Sequence, residues 1–169
     1  MGSPTADGFW ADLRAVAAVS RLSATVGYNV ASVLLAIGLG VRVAGRLEAT
    51  ALWAAVGYAT ATMFAKLQAS VADAIHDRTV DAANPEKNVI AAAVETLGLG
   101  RAWALLGGYL VAALLLYGVV ATAAGGWVLV AGVAVVGFGF TYSYPPRFKE
   151  RGVWNHVVTT GVDAGLLVL

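Results

Sequence analysis

Apolar residues run along this chain in long unbroken blocks, not in the short alternations of an element with one face in water. Leu22 to Val41 holds no Asp, Glu, Lys or Arg, and neither does Ala49 to Ala65. Ala102 to Pro146 continues without one for more than twice the roughly 20 residues that one bilayer crossing needs. Glycine pairs punctuate helices, so that block is expected to split at Ala124-Gly125-Gly126. Val153 to Leu169 forms a further apolar run, interrupted by Asn155, His156 and Asp163. The pattern predicts an all-α, polytopic bundle of about five transmembrane helices over 21–169. The second span is expected to continue as helix beyond its apolar part toward Asp81, with Asn84-Pro85 marking the turn. Leu97 to Arg101 reads as a loop and helix start, since no strand–turn–helix context surrounds its glycines. Residues 1–20 are set apart: Phe9, Trp10 and Leu13 beside Arg14 and Arg21 predict a short interfacial helix leading into the first span. That segment lacks the basic start of a secretory signal and interleaves its apolar residues with Trp10, Asp12 and Arg14.

Composition sharpens this picture. The 169 residues are 59% hydrophobic and 12% charged, with a mean hydropathy of +0.76; a soluble domain carries about 25% charged residues. A formal net charge of +1 without a basic stripe points away from nucleic acid. The absence of cysteine excludes disulfides, thiol catalysis and cysteine-ligated metal.

Lysine and arginine orient the spans. Arg14, Arg21, Lys66, Arg78, Lys87, Arg101, Arg147, Lys149 and Arg151 fall on one side of the expected topology, and Arg42 and Arg46 on the other. The N-terminus and both large polar loops are therefore expected in the cytoplasm of an integral membrane protein.

Two constellations carry chemistry. Asp73, Asp77 and Asp81 stand at i, i+4 and i+8, drifting only about 40° per step around a helix, so all three share a face. Three carboxylates there repel one another, and a hard divalent cation such as Mg²⁺ relieves them while leaving ligand positions for substrate phosphate. The plainer reading is a solvated helix end. The second constellation is Thr141 to Gly152. Pro145-Pro146 stops the fourth span, and Arg147, Lys149 and Arg151 follow on alternate positions, which in an extended segment lie on one side. Such a cluster grips phosphate oxygens; alternatively it is a positive-inside anchor with Tyr142 and Tyr144 as interfacial aromatics.

Together, on one membrane face, the two suit a diphosphate whose hydrophobic tail lies within the bundle. Here the chain resembles the UbiA-type intramembrane prenyltransferases. Their first motif, Asn-Asp-x-x-Asp-x-x-x-Asp, aligns with Asp73 at its Asn, Ala74 at its first Asp, and Asp77 and Asp81 at the next two. Tyr142 to Gly152 is similar to the family's segment after the fourth helix. The resemblance covers about the first half of the nine-helix fold, and the family's second aspartate motif has no counterpart, Asp163 standing alone. It implies transfer of an isoprenyl group from an isoprenyl diphosphate to a lipophilic acceptor. Asp73, Asp77 and Asp81 would then hold Mg²⁺, with Asp77, Asp81 and Tyr142 in the catalytic set. Arg147, Lys149 and Arg151 would bind diphosphate, and Lys66, a turn or two before the triplet, could reach it or simply snorkel to the interface. The alternative is a truncated, split or degenerate relative, inactive alone, acting as a membrane binding or structural subunit with a complementary C-terminal chain. A small cation transporter is a third reading, for which the acids should lie at mid-membrane.

Among other polar residues, Asn29 could line the substrate cavity or bond across helices. His76 lies about 100° around the helix from Asp77 and has a weaker claim on the site.

Overall fold

The computed structural model describes residues 6–45 and 48–157 and, among these, is all-helical. Six α-helices follow in order: α1 (Ala6–Val19), α2 (Leu22–Ala44), α3 (Ala49–Ala82), α4 (Asn88–Leu97), α5 (Leu99–Ala124) and α6 (Trp127–Ser143). A 3-10 turn, Phe148–Glu150, comes next, and residues 153–157 are helical. The rest of the fifth apolar run, Asp163 included, and Arg46 lie outside the described residues.

The second apolar block and the acid triplet form one uninterrupted helix of 34 residues. Alanine dominates its sequence, and no proline or interior glycine pair interrupts it before Asn84-Pro85. There the Asn84 side-chain oxygen accepts a hydrogen bond from the Glu86 amide at 3.0 Å and turns the chain. The long apolar block divides where expected: α5 ends at Ala124, and Gly125 takes φ 99°, open to glycine and rarely to other residues.

One helix was not foreseen. α4 occupies the stretch expected to be polar loop, burying Ala91, Val94 and Leu97 on one side. Its i, i+3, i+6 spacing was legible, but ten residues are too few to stand out beside the long apolar blocks. Gly98, at φ 76°, ends α4 and opens α5.

Among the described helices, α3 alone touches each of the other five, most extensively α5, which runs antiparallel to it. α2 rests on α3 and α1 only. Two apolar clusters sit along α3. Toward its C-terminal end, Val71 and Ile75 pack with Val19 of α1, Val94 of α4 and Leu106 of α5. Toward its N-terminal end, Tyr58 and Ala61 meet Tyr117 of α5 and Val135 of α6. The N-terminal segment thus belongs to the same packed body: Ala15 and Val19 are buried, while Phe9, Trp10 and Leu13 face outward.

α5 alone among the described helices is both long and apolar enough to cross a membrane by length and composition, with a mean hydropathy of 2.2 over its best stretch. α6, of 17 residues, is apolar but shorter.

Candidate functional site

Helix direction decides what can meet. α3 carries its aspartates at its C-terminal end, and α6, which also packs on α3, delivers Ser143 and the following turn to that same end. The corner between α1 and α2 arrives there too, where Arg21 adopts φ 47° and reverses the chain.

Asp73 is the hub. Its Oδ1 accepts hydrogen bonds from Ser143 Oγ at 2.7 Å and Lys149 Nζ at 2.8 Å. Its Oδ2 accepts from Arg21 Nη2 at 2.9 Å. The carboxylate is 8% exposed, so burial demands these partners, and each arrives from a different element. Lys149 also donates to Asp77 Oδ2, so one ammonium bridges two carboxylates a helical turn apart. The other Asp77 oxygen lies 3.0 Å from His76 Nδ1. Burial pushes the Asp77 carboxyl up, but hydrogen bonds and charge from Lys149 and His76 outweigh it, leaving it below its ordinary value. Burial likewise pushes the Lys149 ammonium down, and Asp73 and Asp77 overcome that and hold it above its ordinary value.

Asp81 stands apart. It is 3% exposed, its Oδ1 lies 3.8 Å from Lys87 Nζ, and its Oδ2 has no hydrogen-bond partner. A buried carboxylate with one orphaned oxygen calls for a cation or a donor.

The aromatic neighbourhood is built on Tyr144. Its ring stacks on Phe140 at 4.6 Å, meets His76 edge-on at 5.0 Å and lies 5.9 Å from Trp103. Tyr142, the tyrosine that the family resemblance favoured, is half-buried, and its side chain makes no hydrogen bond or ring contact among the described residues. Tyr144 went unassigned because the two tyrosines are equivalent as letters; only the exit angle of α6 separates them.

The three cations expected to hold diphosphate do not lie side by side. The segment after Pro146 folds into a 3-10 turn in place of an extended strand, so alternate positions diverge. Arg147 pairs with Glu150, and Arg151 Nε donates to the Pro146 carbonyl at 2.7 Å. Of these three, Lys149 alone pairs with the acids of α3. Lys66 is half-buried two turns before Asp73 on the same face of α3, about 10 Å along the axis. Asn29 is 3% exposed, and neither amide atom has a partner among the described residues. Arg21 was read as an interfacial anchor; its place beside Asp73 depends on a chain reversal that no spacing announces.

For a divalent metal the donor chemistry is suitable: hard carboxylate oxygens, one of them orphaned at Asp81. Among the described residues, however, no three acidic or imidazole side chains converge on one point. The cation between Asp73 and Asp77 is the Lys149 ammonium, and both Asp73 oxygens already accept hydrogen bonds. Asp73 holds the surrounding elements together, Asp77 is engaged by Lys149 and His76, and Asp81 keeps the unpartnered oxygen.

No family model, no curated protein and no solved structure matches this chain.

Proposed function

We propose that this chain is a polytopic membrane protein whose polar end binds an isoprenyl diphosphate, and that it serves prenyl transfer to a lipophilic acceptor. One observation carries the reading. Two constellations suited to phosphate and metal chemistry meet at one end of the bundle through Lys149, Asp73 and Asp77, residues more than 70 apart in the chain.

The placement of tryptophan supports the membrane part. Trp10, Trp103 and Trp154 are exposed at the end that carries the acids, and Trp53 and Trp127 are exposed at the other end. Along α3, Trp53 to Asp73 spans about 30 Å at ~1.5 Å per residue, the thickness of a hydrocarbon core. Tryptophan at both edges of such a slab is the membrane-interface pattern. Between the edges α5 turns Val111, Leu115 and Val119 outward on one face. In water this is an aggregation-prone stripe; in lipid it is matched. The polar end lies on the side where basic residues accumulate, which the positive-inside rule assigns to the cytoplasm.

For the chemistry, Asp77 and Asp81 would hold Mg²⁺, and the ion would supply charge stabilisation to a departing diphosphate. Arg21 pairs with Asp73, and Lys149 with Asp73 and Asp77, and both cations would take phosphate oxygens. The apolar interior below them suits an isoprenoid tail and keeps water from a developing allylic cation. A second reading is a non-catalytic membrane subunit. It is favoured by the neutralisation of Asp73 and Asp77 within the chain by Arg21 and Lys149.

Binding separates the two. Geranylgeranyl diphosphate is expected to bind the detergent-purified chain only with Mg²⁺, and the Asp77→Ala/Asp81→Ala variant is expected to lose that binding. Equal binding by both proteins, or none by either, leaves the subunit reading.

A further inference from the structure

We infer that the segment from Pro145 to Gly152 is a strap latched across the acid site by Lys149, and that an anionic ligand with its divalent cation must displace the latch to bind. This rests on the diphosphate reading and adds how the same site opens.

The strap's charges are engaged with itself or with α3. Lys149 Nζ bridges Asp73, at 2.8 Å, and Asp77. Arg147 is neutralised by Glu150 within the 3-10 turn, and Arg151 closes back on the Pro146 carbonyl at 2.7 Å. Arg147 and Gly152 bound the turn in left-handed conformations, φ 56° and 53°, so the strap leaves and rejoins helical structure through two bends. Among the described residues, its ion pairs to the rest of the molecule run through Lys149. Beside the latch, Asp81 keeps a buried, unpartnered oxygen.

These contacts define two exclusive arrangements. With the ammonium between Asp73 and Asp77, a divalent ion cannot take the same Asp77 oxygen, since the two cations would repel at contact distance. With a metal-bound diphosphate on Asp77 and Asp81, Lys149 loses its carboxylate partner and gains phosphate oxygens, and Arg147 can exchange Glu150 for the ligand. The strap then pivots away from α3 carrying its cations with it. The closed form therefore keeps the carboxylates paired while no ligand is bound, and ligand affinity is reduced by the fraction of chains that are latched.

The absence of cysteine permits a direct distance measurement. Spin labels at Val80→Cys and Val153→Cys, both on exposed positions, read the separation of α3 from the far end of the strap. Without ligand the parent pair is expected to give one short, narrow distance. K149Q is expected to shift it longer and broader, and K149R to restore the short one, which controls for misfolding. Mg²⁺ with inorganic pyrophosphate is expected to lengthen the parent distance as K149Q does. An unchanged distance in K149Q overturns the latch. Pyrophosphate that binds by calorimetry yet leaves the parent distance short overturns displacement. If pyrophosphate binds neither protein, the diphosphate reading falls while the K149Q and K149R distances still decide whether Lys149 holds the strap.

Discussion

Lys149 and Asp77 form a pair whose energetics can be read in solution. Each is mostly buried, and removing the ammonium leaves two carboxylates facing each other. Lys149→Gln is expected to cost about 2 kcal/mol, below the cost for a fully buried pair because some solvent reaches both groups. The cost is measured as a lower thermal midpoint in detergent. Its pH dependence follows from the two shifts. Asp77 lies below its ordinary value, so its contribution is present above about pH 4 and is lost as pH falls through the folded value. Lys149 lies above its ordinary value, so its contribution is present below about pH 10.4 and is lost as pH rises through the folded value. The midpoint gap between parent and Lys149→Gln should be flat from about pH 5 to 9 and close below about pH 4. A gap that instead changes near neutrality would assign the interaction to another group. Deeper in the bundle, Thr62 Oγ1 and the Tyr117 hydroxyl lie 2.8 Å apart, and both side chains are fully buried. Thr62→Val keeps the shape, strands the phenol and should cost about 1–3 kcal/mol.

Between elements, glycine decides how closely α6 approaches its neighbours. A Cβ on Gly132 would overlap the Tyr117 ring of α5, and one on Gly139 would come within 3.0 Å of the Ala69 Cβ of α3. At Gly137, on the same helix, nothing lies within 4 Å. Gly132→Ala should therefore destabilise by about 1–3 kcal/mol through overpacking. Gly137→Ala should be neutral or slightly stabilising, because alanine favours the helix. Thermal midpoints of the two variants, taken side by side, test the α5–α6 contact; equal effects would mean that Gly132 does not sit against Tyr117. Small residues within an apolar helix permit close packing. Which of them packs, and against what, depends on helix rotation, and a stretch as uniformly apolar as α6 carries no periodicity from which to read it.

For the whole molecule, the two tryptophan rings and the outward valine–leucine stripe of α5 predict a slab geometry that labelling can test. Single cysteines at Val89 and Val153, outside the slab on the proposed cytoplasmic side, should react with a membrane-impermeant maleimide in inside-out vesicles. One at Leu115, 66% exposed in the protein but facing the hydrocarbon, should be protected until detergent is added. Reaction of all three alike in bilayers would remove the polytopic reading. In the proposed slab the hub around Asp73 would lie at the membrane edge, with water screening the cluster on one side and the apolar bundle bounding it on the other.

The helical character of the chain, the break at Gly125 and the continuation of α3 to the acid triplet were determined by the sequence alone. Each is a local matter: apolar run length, alanine propensity, and the φ/ψ limits of glycine and proline act within a few residues. The common face of Asp73, Asp77 and Asp81 also follows from helix geometry. What those aspartates touch does not. Only tertiary structure set Arg21 and Ser143 on Asp73, turned Tyr144 toward His76 and left Tyr142 aside. It also coiled the strap so that Lys149 alone reaches α3. Those pairings join residues 52 to 76 apart in the chain and depend on where helices cross and how loops bend. A buried carboxylate must find partners, but which partners it finds is settled when the helices pack.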